Sequence, residues 1–142
     1  MLVLFELYRG LRKEEVEARV LIPKGIATFE DLRLAMANAD RSITIRNFGK
    51  SHAVQSHING WLPSQGISTS IKEKIARHYA GPGGHVARIA VSKLAAYNID
   101  QIYVKEHLPI DQILKPDDEE VILWRKQPGP FPAEIIIEIY RS

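Results

Sequence analysis

The sequence predicts one α+β domain, and three observations carry that expectation. Strand-type apolar runs and segments of helical period are mixed along the chain without the regular strand–helix–strand rhythm of a parallel sheet. No GxGxxG loop links a strand to a helix, which argues against a doubly wound dinucleotide fold. At 142 residues the chain has the length of a single domain, taken here as residues 1–142, and can bury a core without staples.

Taken in order, Leu2 to Gly10 is a nearly continuous apolar run that reads as a strand buried on both faces and ending on Arg9. An arginine there keeps its charge and presents a planar fork of donors, suited to a phosphate, a carboxylate or an internal ion pair. Gly10 permits a turn or a close approach directly after it. Leu11 to Val20, with Val16 and Val20 four apart, reads as a short surface helix broken by Leu21-Ile22-Pro23-Lys24-Gly25. Thr28 is the expected N-cap of a second helix, since Phe29, Leu32, Ala35, Met36 and Ala39 recur at helical spacing behind Glu30 and Asp31. A short Ile43–Ile45 segment and a helical or turn-rich piece from Lys50 to Trp61, holding His52 and His57, come next.

Ser70 with Glu73 has the spacing of a capping box, so Ser70 is expected to cap a helix with Ile71, Ile75, Ala76 and Tyr79 on one face. Ser68 and Thr69 precede that cap and are expected to organise neighbouring groups by hydrogen bonds. Gly81-Pro82-Gly83-Gly84 lacks phosphate-loop spacing and reads as a turn. Val86–Val91 and Ile102–Val104 are expected strands, Pro109–Leu114 a helical turn, and Gln127–Pro132 a proline-rich connection. The Ile135, Ile137, Ile139 alternation predicts a closing strand.

The most informative stretch is Pro116-Asp117-Asp118-Glu119-Glu120-Val121, four acids between a proline turn and an apolar run. Alternation along a strand would point Asp118 and Glu120 one way and Glu119 the other. The bland reading is a solvated acidic turn.

Composition excludes several classes. There is no cysteine, hence no disulfide scaffold, thiolate metal site or cysteine nucleophile. A net charge of +2 makes no strong case for a nucleic-acid surface. Histidine and aspartate spacing of the metal-binding kind is absent, so no metal is expected. The apolar runs fall well short of the ~20 residues of a membrane span, and the amino terminus lacks the pattern of a secretory signal.

Arg9 at a strand end, a Ser68-Thr69-Ser70 junction and a carboxylate pair entering a late strand, in this order, resemble the ADP-ribosyltransferase toxins of the arginine-serine-glutamate class, of the heat-labile enterotoxin and cholera toxin type. The likeness is carried by Leu7-Tyr8-Arg9-Gly10, Gly66-Ile67-Ser68-Thr69-Ser70-Ile71 and Pro116–Val121. His52-Ala53, 16 positions before Ser68, and Leu21–Gly25 add to it. The resemblance implies two packed, mainly antiparallel sheets flanked by short helices around an NAD cleft. It implies cleavage of NAD, as substrate, at the nicotinamide–ribose bond. ADP-ribose would pass to a macromolecular acceptor, protein arginine first, with a nucleic-acid acceptor left open.

On that resemblance Glu120, Asp118 and Ser68 would be catalytic, and Arg9, Tyr8, Gly10, His52, Thr69 and Ser70 would bind NAD. Glu120 would hydrogen-bond the nicotinamide-side ribose, Ser68 would orient Glu120, and His52 would reach the adenosine-side ribose or a phosphate. Asp118 stands where arginine-modifying members have glutamate, which leaves the acceptor open. The resemblance further implies a domain secreted or delivered into a target cell as part of a larger toxin or effector, with a cognate immunity or inhibitor protein and no membrane partner. The alternatives are an NAD glycohydrolase, a catalytically dead binding module of the same fold, and a small nuclease using His52 or His57 with Lys50 and Arg46.

Overall fold

The computed structural model describes residues 5–38, 40, 42–46, 49–60 and 63–142. Of the expectations above, those resting on Leu2, Val3, Leu4, Ala39 and Trp61 lie outside the described residues. The strands are β1 (Glu6–Gly10), β2 (Ala35–Ala37), β3 (Ile43–Ile45), β4 (Ile67–Ser70), β5 (His85–Ala90), β6 (Asp100–Tyr103), β7 (Glu120–Trp124) and β8 (Ile136–Arg141). The helices are α1 (Lys13–Ala18), α2 (Phe29–Leu34), α3 (Lys50–Asn59), α4 (Glu73–Ala80), α5 (Val91–Leu94) and α6 (Val104–His107). The chain is α+β: six strands form one antiparallel sheet in the order β6-β7-β4-β1-β5-β8, and β2 and β3 pair separately as a ribbon.

The apolar run of β7 holds the sheet between two cores because successive side chains face opposite sides. Val121 and Leu123 join Leu7, Leu21, Ile67, Ile89 and Phe131 in one cluster. Ile122 and Trp124 join Leu32, Ala53, Val54, Val104 and Leu108 in the other. Helices α2, α3 and α6 therefore cover the second face.

The middle of the sheet is where the fold departs from regularity. Strand β1 pairs with β5 over five consecutive residues, and β4 pairs with β7 over four. Between β1 and β4 a single register pair, Tyr8 with Ser70, joins the two three-stranded halves. Past that pair the strands diverge, and the divergence opens the cleft described below. Gly10 ends β1 tight against α4, where an added Cβ would lie 2.5 Å from the Ala76 carbonyl oxygen.

Five expectations need correction. In β1 only Leu7 is fully buried, and Phe5 just before the strand is 79 % exposed, so the run is not buried on both faces. The helix after Thr28 stops at Leu34; Thr28 does cap it, its Oγ accepting the Asp31 N–H at 3.0 Å. The chain then turns extended because Ala35–Ala37 pair with Ile43–Ile45, a cross-strand contact that overrides helical spacing. Ser70 belongs to β4 and is not the N-cap of α4: its Oγ–H donates to the Asp118 carbonyl (2.6 Å) while its Oγ accepts the N–H of Lys72 (3.0 Å), Lys72 is the N-cap of α4, and Glu73 accepts from Tyr140. In β8 the isoleucine alternation is broken by a bulge opposite Arg88 and Ile89, which turns Ile137 outward and leaves Ile136 and Ile139 against the core. The acidic stretch is a 3₁₀ turn over Pro116–Asp118 followed by Glu119 at φ 49°, so β7 starts only at Glu120.

Candidate active site

A cleft of about 500 Å³ lies where β1 and β4 part. Its walls include Tyr8, Arg9, Arg12, Lys24, His57, Ser68, Tyr79, Asp118 and Glu120.

Strand geometry explains how Ser68 meets Glu120. Register pairs Ser68 with Ile122 and Ser70 with Glu120, placing all four side chains on the face covered by α3, and Ser68 and Glu120 are diagonal neighbours. The Ser68 Oγ–H donates to Glu120 Oε2 at 2.7 Å. Thr69 borders the cleft, but its hydroxyl lies on the opposite face and donates to the Val121 carbonyl at 2.7 Å. Burial raises the Glu120 carboxyl above the usual range, and Asp118 adds to this; the Ser68 hydroxyl and the Arg9 charge act against it.

His57, from the last turn of α3, supplies the next contact. Its Nε2 lies 2.8 Å from Ser68 Oγ and its Nδ1 2.7 Å from Ser64 Oγ. Burial above all, with Arg9 and Lys24 adding to it, lowers the imidazole from 6.5 to about 4, so the ring is neutral at pH 7. A neutral ring has one N–H, and the single Ser68 proton already points to Glu120. Nε2 therefore carries the proton and donates to Ser68, and Nδ1 accepts from Ser64. Ser64 Oγ in turn accepts the Gly66 N–H at 3.2 Å. Every donor from the Gly66 amide to Glu120 thus points the same way. Trp124 fixes the imidazole from the side, ring centroids 5.6 Å apart, and packs so close to Gly66 that an added Cβ there would lie 2.5 Å from the indole.

Arg9 is held from behind. Its Nε and Nη2 donate to the two carboxylate oxygens of Glu15, each at 3.0 Å, and its Nη1 donates to the Ser68 carbonyl at 2.7 Å. Glu15 is fully buried and also accepts the backbone N–H groups of Arg12 (3.0 Å) and Ile22 (2.9 Å). The guanidinium fills the gap that the diverging strands leave and fixes the β4 backbone at Ser68. Of the partners that suit the Arg9 fork, the structure shows the internal ion pair, with Glu15, beside the hydrogen bond to the Ser68 backbone.

At the far side, Glu119 adopts the left-handed conformation and its carboxylate pairs with Lys105 of α6. That one residue, rather than strand alternation, sends Asp118 and Glu120 to the same cleft and Glu119 away from it. The Tyr79 hydroxyl donates to Asp118 Oδ2, and the phenol is pushed up to about 12 by burial first and Asp118 second.

Arg9, Tyr8, Gly10, Ser68, Thr69, Ser70, Asp118 and Glu120 are thus brought together around one cleft. His52 is not among the lining residues; it lies one turn before Ser56, its Nε2 3.4 Å from Ser56 Oγ. His57 lines the cleft instead. The signal was available: Ala53, Val54 and His57 recur on one face of α3, and His52 cannot share the Ser68 side with a residue five positions on. Glu15 and Ser64 were missed, since acids and serines on surface-type segments carry no local mark of burial, and Tyr79, read as part of the apolar face of α4, instead stays exposed at the cleft. The sequence matches no model of a protein family and no curated protein.

Proposed function

We propose that this chain is an NAD-dependent mono-ADP-ribosyltransferase. The observation that carries the reading is the half-buried Ser68–Glu120 hydrogen bond at the mouth of the strand divergence, with Arg9 fixing the Ser68 backbone. These are the three residues of the arginine-serine-glutamate resemblance. On this reading the two three-stranded halves correspond to the two sheets of the ADP-ribosyltransferase fold, and the cleft between them receives NAD. Its volume of about 500 Å³ is in the range of small-molecule sites.

The chemistry follows from the types of group. The nicotinamide–ribose bond breaks with its electron pair going to the pyridinium nitrogen, so neutral nicotinamide leaves and positive charge grows on the ribose. Glu120, oriented by Ser68, accepts a ribose hydroxyl and stabilises that charge more in the transition state than in the ground state. A lone pair of the acceptor then forms the new bond to the anomeric carbon, and the acceptor loses one proton. The neutral His57 adds no competing positive charge near the reacting ribose. Protein arginine is the first acceptor to test, and a toxin or effector setting, with a cognate inhibitor protein, rests on the resemblance alone.

The test is release of nicotinamide from labelled NAD, with and without a cell lysate, by the wild type, Glu120→Ala and Glu120→Gln. The expected loss is about a hundredfold or more for both variants, by the scale of removing one preorganised group. Cleavage with label passing to a macromolecule supports a transferase, and cleavage without labelled product supports a glycohydrolase. Absence of cleavage by the wild type overturns the reading in favour of a binding module. The two folded-state comparisons are made on melting curves. Because the Glu120 carboxyl is raised, its contribution to stability is full below the unfolded value of 4.5 and is lost as pH rises through the folded value. Glu120→Gln should therefore melt above the wild type at pH 7 and level with it at pH 4.

A further inference from the structure

The hydrogen-bond chain that ends on Glu120 is closed at its other end. It begins at the Gly66 amide, which has no proton to give away, and passes through Ser64, His57 and Ser68 with contacts of 3.2, 2.7, 2.8 and 2.7 Å. Ser64 is 5 % exposed and the His57 side chain 9 %, so little water reaches the links between them. Such a chain does not lead protons out of the site. It has two possible directions, because a hydroxyl both donates and accepts and a neutral imidazole has two tautomers.

The two ends set the direction. Ser64 Oγ already accepts the Gly66 N–H, so its own proton is left for Nδ1. An ionised Glu120 only accepts, so it takes the Ser68 proton and the ring proton stays on Nε2. A proton arriving on Glu120 removes that second condition. The carboxylic acid then donates to Ser68 Oγ, the Ser68 hydroxyl turns to Nε2, and the single ring proton sits on Nδ1 against Ser64. Around these groups, Glu120 faces Asp118 on its own turn, Arg9 from β1, His57 from α3 and Tyr79 from α4, and the imidazole faces Arg9 and Lys24. Burial lifts Glu120 above 4.5 and holds His57 at about 4, so on acidification the carboxyl is protonated while the ring is still neutral.

We propose that His57 is a positioning residue that ties its own tautomer to the protonation of Glu120, and that this coupling is an acid-operated switch of the site. With Glu120 ionised, the Nε2 proton turns the Ser68 hydroxyl onto the carboxylate. With Glu120 protonated, a bare Nε2 draws that hydroxyl away. Ser64 biases the chain toward the first state without touching Glu120. The catalytic consequence rests on the transferase reading: only the first state sets a fixed negative charge against the cation growing on the ribose.

The coupling is tested on the intact chain without NAD, by following the ¹⁵N shifts of His57 and the side-chain carboxyl ¹³C shift of Glu120 from pH 8 to 4.5. The expected result is an exchange of protonated and bare nitrogen shifts between Nε2 and Nδ1, with the same midpoint as the Glu120 carboxyl. Glu120→Gln should abolish that inflection. Ser64→Ala should raise the Glu120 midpoint by about half to one pH unit, the scale of one hydrogen bond, and Ser64→Thr, which keeps the hydroxyl, should return it. A ring that keeps one tautomer through the Glu120 titration, an inflection that survives Glu120→Gln, or a midpoint indifferent to Ser64→Ala would each overturn the coupling. In nicotinamide release, the acid limb of kcat should follow the same midpoint and move with it in Ser64→Ala; a limb that stays in place would overturn the switch. A coupled titration in a wild type that releases no nicotinamide would overturn the transferase reading and leave the coupling standing.

Discussion

Replacing Glu15 by glutamine removes one charge and changes almost no volume, and the structure fixes what that does. The carboxylate is fully buried and receives four donors: two from Arg9 and the backbone N–H groups of Arg12 and Ile22. A glutamine offers one oxygen and turns an NH₂ toward donors, so the Arg9 guanidinium, whose side chain is only 11 % exposed, loses its counter-charge. Breaking a buried pair from one side costs about 3–5 kcal/mol, and water reaching Arg9 places this case near the lower end. A chain of 142 residues unfolds with an entropy of roughly 0.3 kcal/mol per degree. The expected loss of about 3 kcal/mol is then a fall of about 10 °C in Tm, with an unchanged urea m-value. Glu14→Gln next door, 63 % exposed, is the control and should stay within about 0.5 kcal/mol. Because Arg9 fixes the Ser68 carbonyl, nicotinamide release should fall as well in the folded variant. A Glu15→Gln loss below about 1 kcal/mol would refute the claim that this ion pair holds the two strands in place.

Other expectations follow from the same contacts. His57 titrates at about 4 in the fold against 6.5 when unfolded, so its contribution to stability is full above pH 6.5 and is lost as pH falls to 4. Urea midpoints should decline over that window, and His57→Gln should flatten the decline. Ser64→Ala removes the donor that keeps Nδ1 unprotonated. Its imidazole ¹⁵N shifts should report a change of tautomer, and nicotinamide release should drop about tenfold at nearly constant KM, on the scale of general positioning effects. At Glu119, whose φ is 49°, Gly should preserve the turn and activity, whereas Val should destabilise by about 1–2 kcal/mol and lower activity.

What could be read from residues was what local chemistry decides. The Thr28 cap, the glycine turn after α4, the apolar β7 and the proline-rich connection all appear where their residues place them. Ser68, Asp118 and Glu120, singled out because their order resembles a known arrangement, do line one cleft. What failed depended on partners distant in sequence. Ala35–Ala37 leave the helix because β3 pairs with them, and Ser70 leaves the capping box because the Asp118 carbonyl takes its hydroxyl. Ile137 turns outward because β5 shifts register opposite it. Glu15 was the least legible of all: in a segment rich in glutamate and lysine, nothing local distinguishes the one acid that Arg9 draws into the core.

The single pair joining β1 to β4 also bears on how much free sheet edge the cleft exposes. A parted pair of strands leaves stretches of sheet edge, and an edge facing solvent invites a second chain to add to it. Here the parting lies in the middle of the sheet, and the Arg9 guanidinium occupies the Ser68 carbonyl that such a chain would seek. The charged plug is itself neutralised from the core side by Glu15. A gap wide enough for a small molecule thereby remains closed to a strand, so the fold gains a cleft without gaining an adhesive edge.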